Sequence, residues 1–127
     1  MIYSGGCHCG AIQFDVEVAD DINLVECNCS ICSKTAYLHL IVPKEDFTLL
    51  AGENNYSTYT FDTHEAKHHF CKTCGIKSFY VPRSHPNGIS VNVRCLNDFD
   101  IEAFNIDKFD GQNWEENIEK LKNSTKE

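Results

Sequence analysis

Three observations in this 127-residue sequence predict a mainly β fold of antiparallel sheets gathered around metal-binding knuckles. Short segments alternate apolar and polar residues, and Gly, Pro or Asn bounds them. Seven of the eight cysteines fall into three tight clusters with the spacing of metal ligands. No strand–helix–strand alternation marks a parallel sheet. The length suits one domain with one core, so residues 1–127 are read as a single unit.

Taken in order, residues 11–18 form the first clear strand. Ile12, Phe14, Val16 and Val18 share one face, and Gln13, Asp15 and Glu17 share the other. Residues 24–26 read as a short strand delivering Cys27. Residues 37–42 form a largely apolar strand that Pro43 stops. Residues 47–50 follow, Gly52-Glu53-Asn54-Asn55 turns the chain, and the Tyr- and Thr-rich residues 56–61 return. His68-His69-Phe70 leads into Cys71. Residues 77–81 form a strand ending at Pro82, and residues 82–88 form a loop. Residues 89–93 alternate again, with Ile89, Val91 and Val93 inward. Near the C-terminus, Asn113 is placed to cap a short helix with Glu116 as its capping-box partner. Trp114, Ile118 and Leu121 share one face of that helix, which docks on the sheet; residues 123–127 read as a tail.

The formal charge is −8, from 19 acidic and 11 basic residues, and such a surface repels phosphate backbones. Nucleic acid is therefore not expected as a partner. No run of about 18 apolar residues is present, so no membrane span is expected. Met1 to Gly6 lacks the basic region and apolar stretch of a signal peptide. These features point to the reducing cytoplasm, where clustered cysteines mean metal or catalysis rather than disulfides.

The densest cluster is Cys27-Asn28-Cys29-Ser30-Ile31-Cys32. Its three thiolates are close enough in sequence to converge on one zinc ion at about 2.3 Å. Cys7-His8-Cys9-Gly10 and Cys71-Lys72-Thr73-Cys74-Gly75 flank it, each with Gly after the second cysteine. The closing residue of a knuckle often needs positive φ, which Gly adopts at little cost. The two pairs together make one closed four-cysteine site, which is a structural arrangement. The trio of Cys27, Cys29 and Cys32 has no fourth partner nearby in sequence. Three protein ligands with an exchangeable position is the layout of a catalytic zinc.

The ordered set Gly6-Cys7-His8-Cys9-Gly10, Cys27-x-Cys29-Ser30-x-Cys32 and Phe70-Cys71-x-x-Cys74-Gly75 resembles the family of glutathione-dependent formaldehyde-activating enzymes and centromere protein V. Phe79-Tyr80-x-Pro82-Arg83, Asn92-x-Arg94-Cys95-Leu96 and Phe109-Asp110-Gly111-x-Asn113-Trp114 resemble its later landmarks. The resemblance implies a β-tent of antiparallel sheets with two zinc ions per chain. Cys7, Cys9, Cys71 and Cys74 would hold the structural ion, and Cys27, Cys29 and Cys32 the catalytic one. The implied activity is that of a carbon–sulfur lyase, condensing glutathione with formaldehyde to S-hydroxymethylglutathione and reversing it. Its partners are a small thiol and an aldehyde.

The second function class is a zinc-stabilised module that binds a partner without turnover. Cys95 bears on the choice. As a fourth ligand it would close the trio; as a buried thiol it would pack as a small hydrophobe, which the family pattern favours. His8 should point away from its zinc. His39, in an apolar strand, reads as a satisfied core histidine. His64, His68 and His69 read as solvated polar residues, with a role lining the open zinc as the alternative. Arg83 and Arg94 divide evenly between gripping a substrate carboxylate and surface ion pairs. Tyr56, Tyr59, Phe61, Phe79 and Tyr80 read as core, and Glu26 is beside the trio by sequence alone.

Overall fold

In the computed structural model, residues 1–113 and Ile118 are described. Ten strands form two sheets. The smaller sheet has the order β1-β2-β5, from Ile2–Gly6, Gln13–Glu17 and Phe47–Ala51. The larger has seven strands in the order β10-β3-β4-β9-β8-β7-β6. Its members are β3 (Leu24–Cys27), β4 (Leu38–Pro43), β6 (Tyr56–Tyr59), β7 (Lys67–Cys71), β8 (Phe79–Val81), β9 (Gly88–Asn92) and β10 (Ile106–Phe109). Every pairing is antiparallel except β10 with β3, which is parallel and sets Phe109 opposite Cys27.

The main core lies between the sheets. Phe14 and Val16 of the small sheet meet Leu40, Val42, Phe79 and Val91 of the large one, all deeply buried. Phe14, Phe47 and Phe79 pack as an aromatic triangle, with Phe47 5.1 Å from each of the other two. The alternation in β2 is as expected, since a period of two puts one set of side chains inside.

The larger sheet is covered on both faces where it is central. In β4, Leu38, Leu40 and Val42 enter the main core, while Ile41 joins a second cluster with Val25, Phe109 and Ile118. His39 shares the Ile41 side. That second face lines the cavity described below.

Three elements are absent from the sequence reading. Ser30–Thr35 forms a short helix, α1, with Cys29 as its N-cap. The Cys29 sulfur accepts from the Cys32 backbone N–H, so a cysteine of the trio doubles as a cap. Ala36 ends the helix in the left-handed region at φ 52°. Strand β1 carries little local signal because it ends in Gly5-Gly6, although it pairs with the adjacent β2, and β10 is short and pairs with β3, which is distant in sequence. The expected C-terminal helix lies outside the described residues apart from Asn113, which closes a 3₁₀ turn, and Ile118, which is helical and buried.

Candidate metal centres and the cavity beside them

The loop from β1 to β2 carries Cys7 and Cys9; Cys71 ends β7 and Cys74 is in the turn that follows. The four sulfurs lie within 4.8 Å of one another. Cys7 Sγ to Cys9 Sγ and Cys9 Sγ to Cys71 Sγ are both 3.6 Å. In a tetrahedron with 2.3 Å zinc–sulfur bonds each edge is about 3.8 Å, so these edges fit a zinc-sized ion. Backbone N–H groups point at the sulfurs: Ile12 N to Cys7 at 3.3 Å, Thr73 N to Cys71 at 3.4 Å and Cys74 N to Cys71 at 3.5 Å. Burial opposes charge on Cys71, but the N–H groups of Cys74 and Thr73 overcome it and lower that thiol to about 6. Gly10 and Gly75 sit at φ +82° and +78°, the positive values the two knuckles require.

Cys27, Cys29 and Cys32 also gather within 4.8 Å, at the end of β3 and the start of α1. Without a cation their charges conflict. The hydrogen bond from Cys27, followed by that from Cys32, holds the Cys29 thiol far below its usual range. The same Cys29 contact raises Cys27 to about 11. Three sulfurs this close share protons rather than ionise together, and a divalent cation removes the conflict. The donor set fits zinc. Cys95 is in neither group; burial raises its thiol to about 11, and the charges it feels are those of Cys7 and Cys74. It is therefore not gathered as a fourth member of the trio.

The last described segment clasps the trio. Asn28 N–H donates to the Phe109 carbonyl at 3.3 Å, and Asn28 Nδ2 to Asp110 Oδ1 at 3.2 Å. Gln112 N–H returns to Asn28 Oδ1 at 3.1 Å. Gly111 lies between these anchors, and a Cβ there would stand 2.5 Å from Cys27 Sγ.

The trio lines a cavity of about 680 Å³ together with His39, His68, Tyr80, Phe61 and Arg83. His39 of β4, Tyr80 of β8 and His68 of β7 stand on one wall; Ser90 of the intervening β9 is fully buried, and Tyr80 is opposite both Ser90 and His68 in register. His39 Nε2 is 3.2 Å from Cys32 Sγ, while its Nδ1 receives Ser90 Oγ at 2.9 Å and Tyr80 OH at 3.3 Å. Burial and the Lys77 charge lower His39 to about 3, so it is neutral, and its Nε2 faces the sulfur. Cys27 and Cys32 also line a second cavity of about 530 Å³ with Arg94 and Lys108.

Several expectations change here. His39 is a satisfied buried histidine, but one of its partners is a trio sulfur. His68 and His69 are buried rather than solvated, because β7 is inside the sheet between β6 and β8. His68 faces the cavity; His69 packs on Tyr56 and Phe79. Tyr80 and Phe61 line the cavity as well as packing. His8, His64 and Glu26 are exposed. Arg83 pairs with Glu65 at 2.7 Å and also lines the cavity. Arg94 donates to the Ala36 carbonyl at 3.1 Å. Lys77, read only as part of a strand, is buried beside His68. Period-two counting in residues 37–42 separates His39 from the core set, a signal that marks it as facing elsewhere.

Residues 2–112 match the family model described as glutathione-dependent formaldehyde-activating enzyme. A Halomonas elongata protein, named as a candidate enzyme of that kind, is 33% identical over 82 residues, covering 58% of this chain and 52% of the relative. The chain thus matches about half the length of that curated relative. The crystal structure of a Rhodobacter sphaeroides protein superimposes with a TM-score of 0.73 at 31% identity, covering 82% of this chain and 99% of that one. With nearly all of its described length matched, the chain belongs to the glutathione-dependent formaldehyde-activating enzyme family.

Proposed function

We propose that this protein is a zinc-dependent carbon–sulfur lyase that joins a small thiol to an aldehyde and cleaves the adduct, with glutathione and formaldehyde as the family's implied pair. The observation that carries the reading is the trio itself: three converging cysteine sulfurs, without a fourth ligand among the described residues, at the wall of a cavity of about 680 Å³. Cys7, Cys9, Cys71 and Cys74 are assigned to a structural zinc, and Cys27, Cys29 and Cys32 to a catalytic one. Zinc held by Cys27, Cys29 and Cys32 would supply acidification of a substrate thiol, so that thiolate would be available near neutral pH.

The chain's own residues then do the rest. His39 donates to Cys32 Sγ and so holds that ligand's orientation, with Ser90 and Tyr80 fixing the imidazole tautomer. Phe61, Ile41 and Phe109 give the cavity apolar walls. Lys34 and Arg83 supply cationic groups suited to a thiol that carries carboxylates, as glutathione does.

Among the described residues no helix is long and apolar enough to cross a membrane. We place the protein in the reducing cytoplasm, where free thiol ligands persist, and expect no nucleic-acid partner for a chain of charge −8. The test is metal analysis of freshly reduced protein combined with exchange spectroscopy of glutathione and formaldehyde. Two zinc ions per chain, one perturbed by glutathione, with faster exchange, supports the enzyme. Two ions inert to thiol, with no exchange enhancement, leaves a zinc-stapled binding module.

A further inference from the structure

Lys77 is the least expected residue near the trio. It is 4% exposed, and no carboxylate pairs with it among the described residues. Its ammonium is 3.9 Å from the Tyr80 ring centroid and 4.8 Å from that of Tyr37. Its one hydrogen-bond partner among the described residues is His68 Nδ1, at 2.8 Å. A buried cation without an acid is costly, and cation–π contacts offset only part of that cost. The charges that favour protonated Lys77 are those of Cys32, Cys29 and Cys27; burial lowers it to about 8, which still leaves it charged at neutral pH.

An ammonium only donates. Its bond therefore requires an unprotonated Nδ1, and the ring proton of neutral His68 goes to Nε2. The ring is also clamped. It stacks on Tyr80 at 4.9 Å and 15° and on Phe61 at 5.5 Å and 23°, with Tyr59 stacked beyond Phe61. Nε2 has no protein partner among the described residues, and it is not an enclosed atom, since the one buried side-chain polar atom without a partner there is Ser78 Oγ. His68 lines the cavity that the trio also lines. Neither neighbouring histidine offers the same group: both ring nitrogens of His39 are engaged, and His69 packs among Tyr56 and Phe79.

We propose that His68 Nε2–H meets the aldehyde oxygen, and that Lys77 is the positioning residue that fixes this tautomer and replaces the proton. The proposal rests on the thiol–aldehyde reading above. As the thiolate sulfur adds to the carbonyl carbon, the C–S bond forms and the C=O π pair moves onto oxygen. Nε2 gives its proton to that oxygen, making the hydroxyl of the adduct. Nδ1 takes a proton from the Lys77 ammonium, so the ring stays neutral and Lys77 becomes an amine. The proton released when the thiol ionised returns through the same pair after the adduct leaves. Cleavage runs the sequence backwards.

The test has two independent arms, both on the zinc-loaded full chain. Ring ¹⁵N–¹H correlation spectra of wild-type protein read the His68 tautomer, with no variant needed. Protonated Nε2 beside bare Nδ1 is expected, and a Lys77→Met protein should lose that fixed state. An Nδ1-protonated ring in the wild type overturns the Lys77 half. Exchange kinetics form the second arm. His68→Gln keeps a donor but cannot relay a proton, so kcat should fall about 10²-fold with KM little changed and both zinc ions retained. An unchanged kcat in His68→Gln, with active wild type, overturns the His68 role while leaving the lyase reading intact. A wild-type protein without exchange activity removes the lyase reading and the aldehyde-facing role together, and the tautomer arm still decides the Lys77–His68 pair.

Discussion

Replacing Gly111 with Ala puts a methyl group where the trio already stands. The new Cβ would be 2.5 Å from Cys27 Sγ, 2.8 Å from Cys29 Cβ and 3.2 Å from the Cys29 backbone nitrogen. Comfortable carbon contacts begin near about 3.5 Å, so the sulfur overlap is about 1 Å. Little can give way. Asn28 is tied to Asp110 on one side of Gly111 and to Gln112 on the other, and β10 is fixed beside β3. Overpacking of this kind costs about 1–3 kcal/mol. If the strain is relieved by shifting Cys27 Sγ, ligand geometry departs well beyond the roughly 0.2 Å that a zinc site tolerates. That energy corresponds to roughly 5- to 150-fold weaker binding at the trio. The four-cysteine site has no contact with Gly111 and should be untouched. Titration with a graded chelator, read by zinc released per chain, measures both sites. One ion should leave early from G111A and the other should match wild type. A G111A protein with wild-type release at both sites would refute the reasoning that Gly111 shapes the trio.

Cys71→Ser should remove one corner of the four-cysteine site, and thermal melts followed by circular dichroism should then fall to the curve of chelator-treated wild type, since metal affinity there is folding free energy. His39→Ala deletes the donor to Cys32 Sγ and leaves Ser90 and Tyr80 hydroxyls without their acceptor; zinc affinity at the trio should drop about 10- to 100-fold with the other site unchanged, again by chelator competition. Burial, followed by the charge of Lys77, lowers His68 from 6.5 to about 4, so the unfolded chain binds the extra proton between those values. Its contribution is present above pH 6.5 and is lost as pH falls toward about 4. Denaturant melts at pH 7 and pH 5 should therefore show a smaller loss in His68→Gln than in wild type, and equal losses would contradict this assignment.

The cysteine spacing and the half-buried alternation were the legible parts. Ile12, Phe14, Val16 and Val18 are all in the core, and Gly10 and Gly75 take the positive φ that the knuckles imply. What escaped local reading was long-range. The parallel partner of β3 comes from residues 106–109, and no segment-by-segment pattern announces a pairing across eighty residues. Helix α1 was hidden because Cys29 and Cys32 look like loop ligands, whereas Cys29 also caps the helix. His68 and Lys77 look like ordinary polar strand residues. Only when β7 is known to lie inside the sheet does their burial follow, and with it the question of what compensates a charge there.

The order of the pieces along the chain has a consequence for how the protein comes into being on the ribosome. Everything required for the four-cysteine staple has been synthesised by residue 75. The clasp over Cys27 and Cys29, by contrast, waits for Phe109, Asp110 and Gly111. A nascent chain can thus gather its four-cysteine group while the trio is still uncovered, and a polypeptide halted between those two points would keep that group yet lack the clasp.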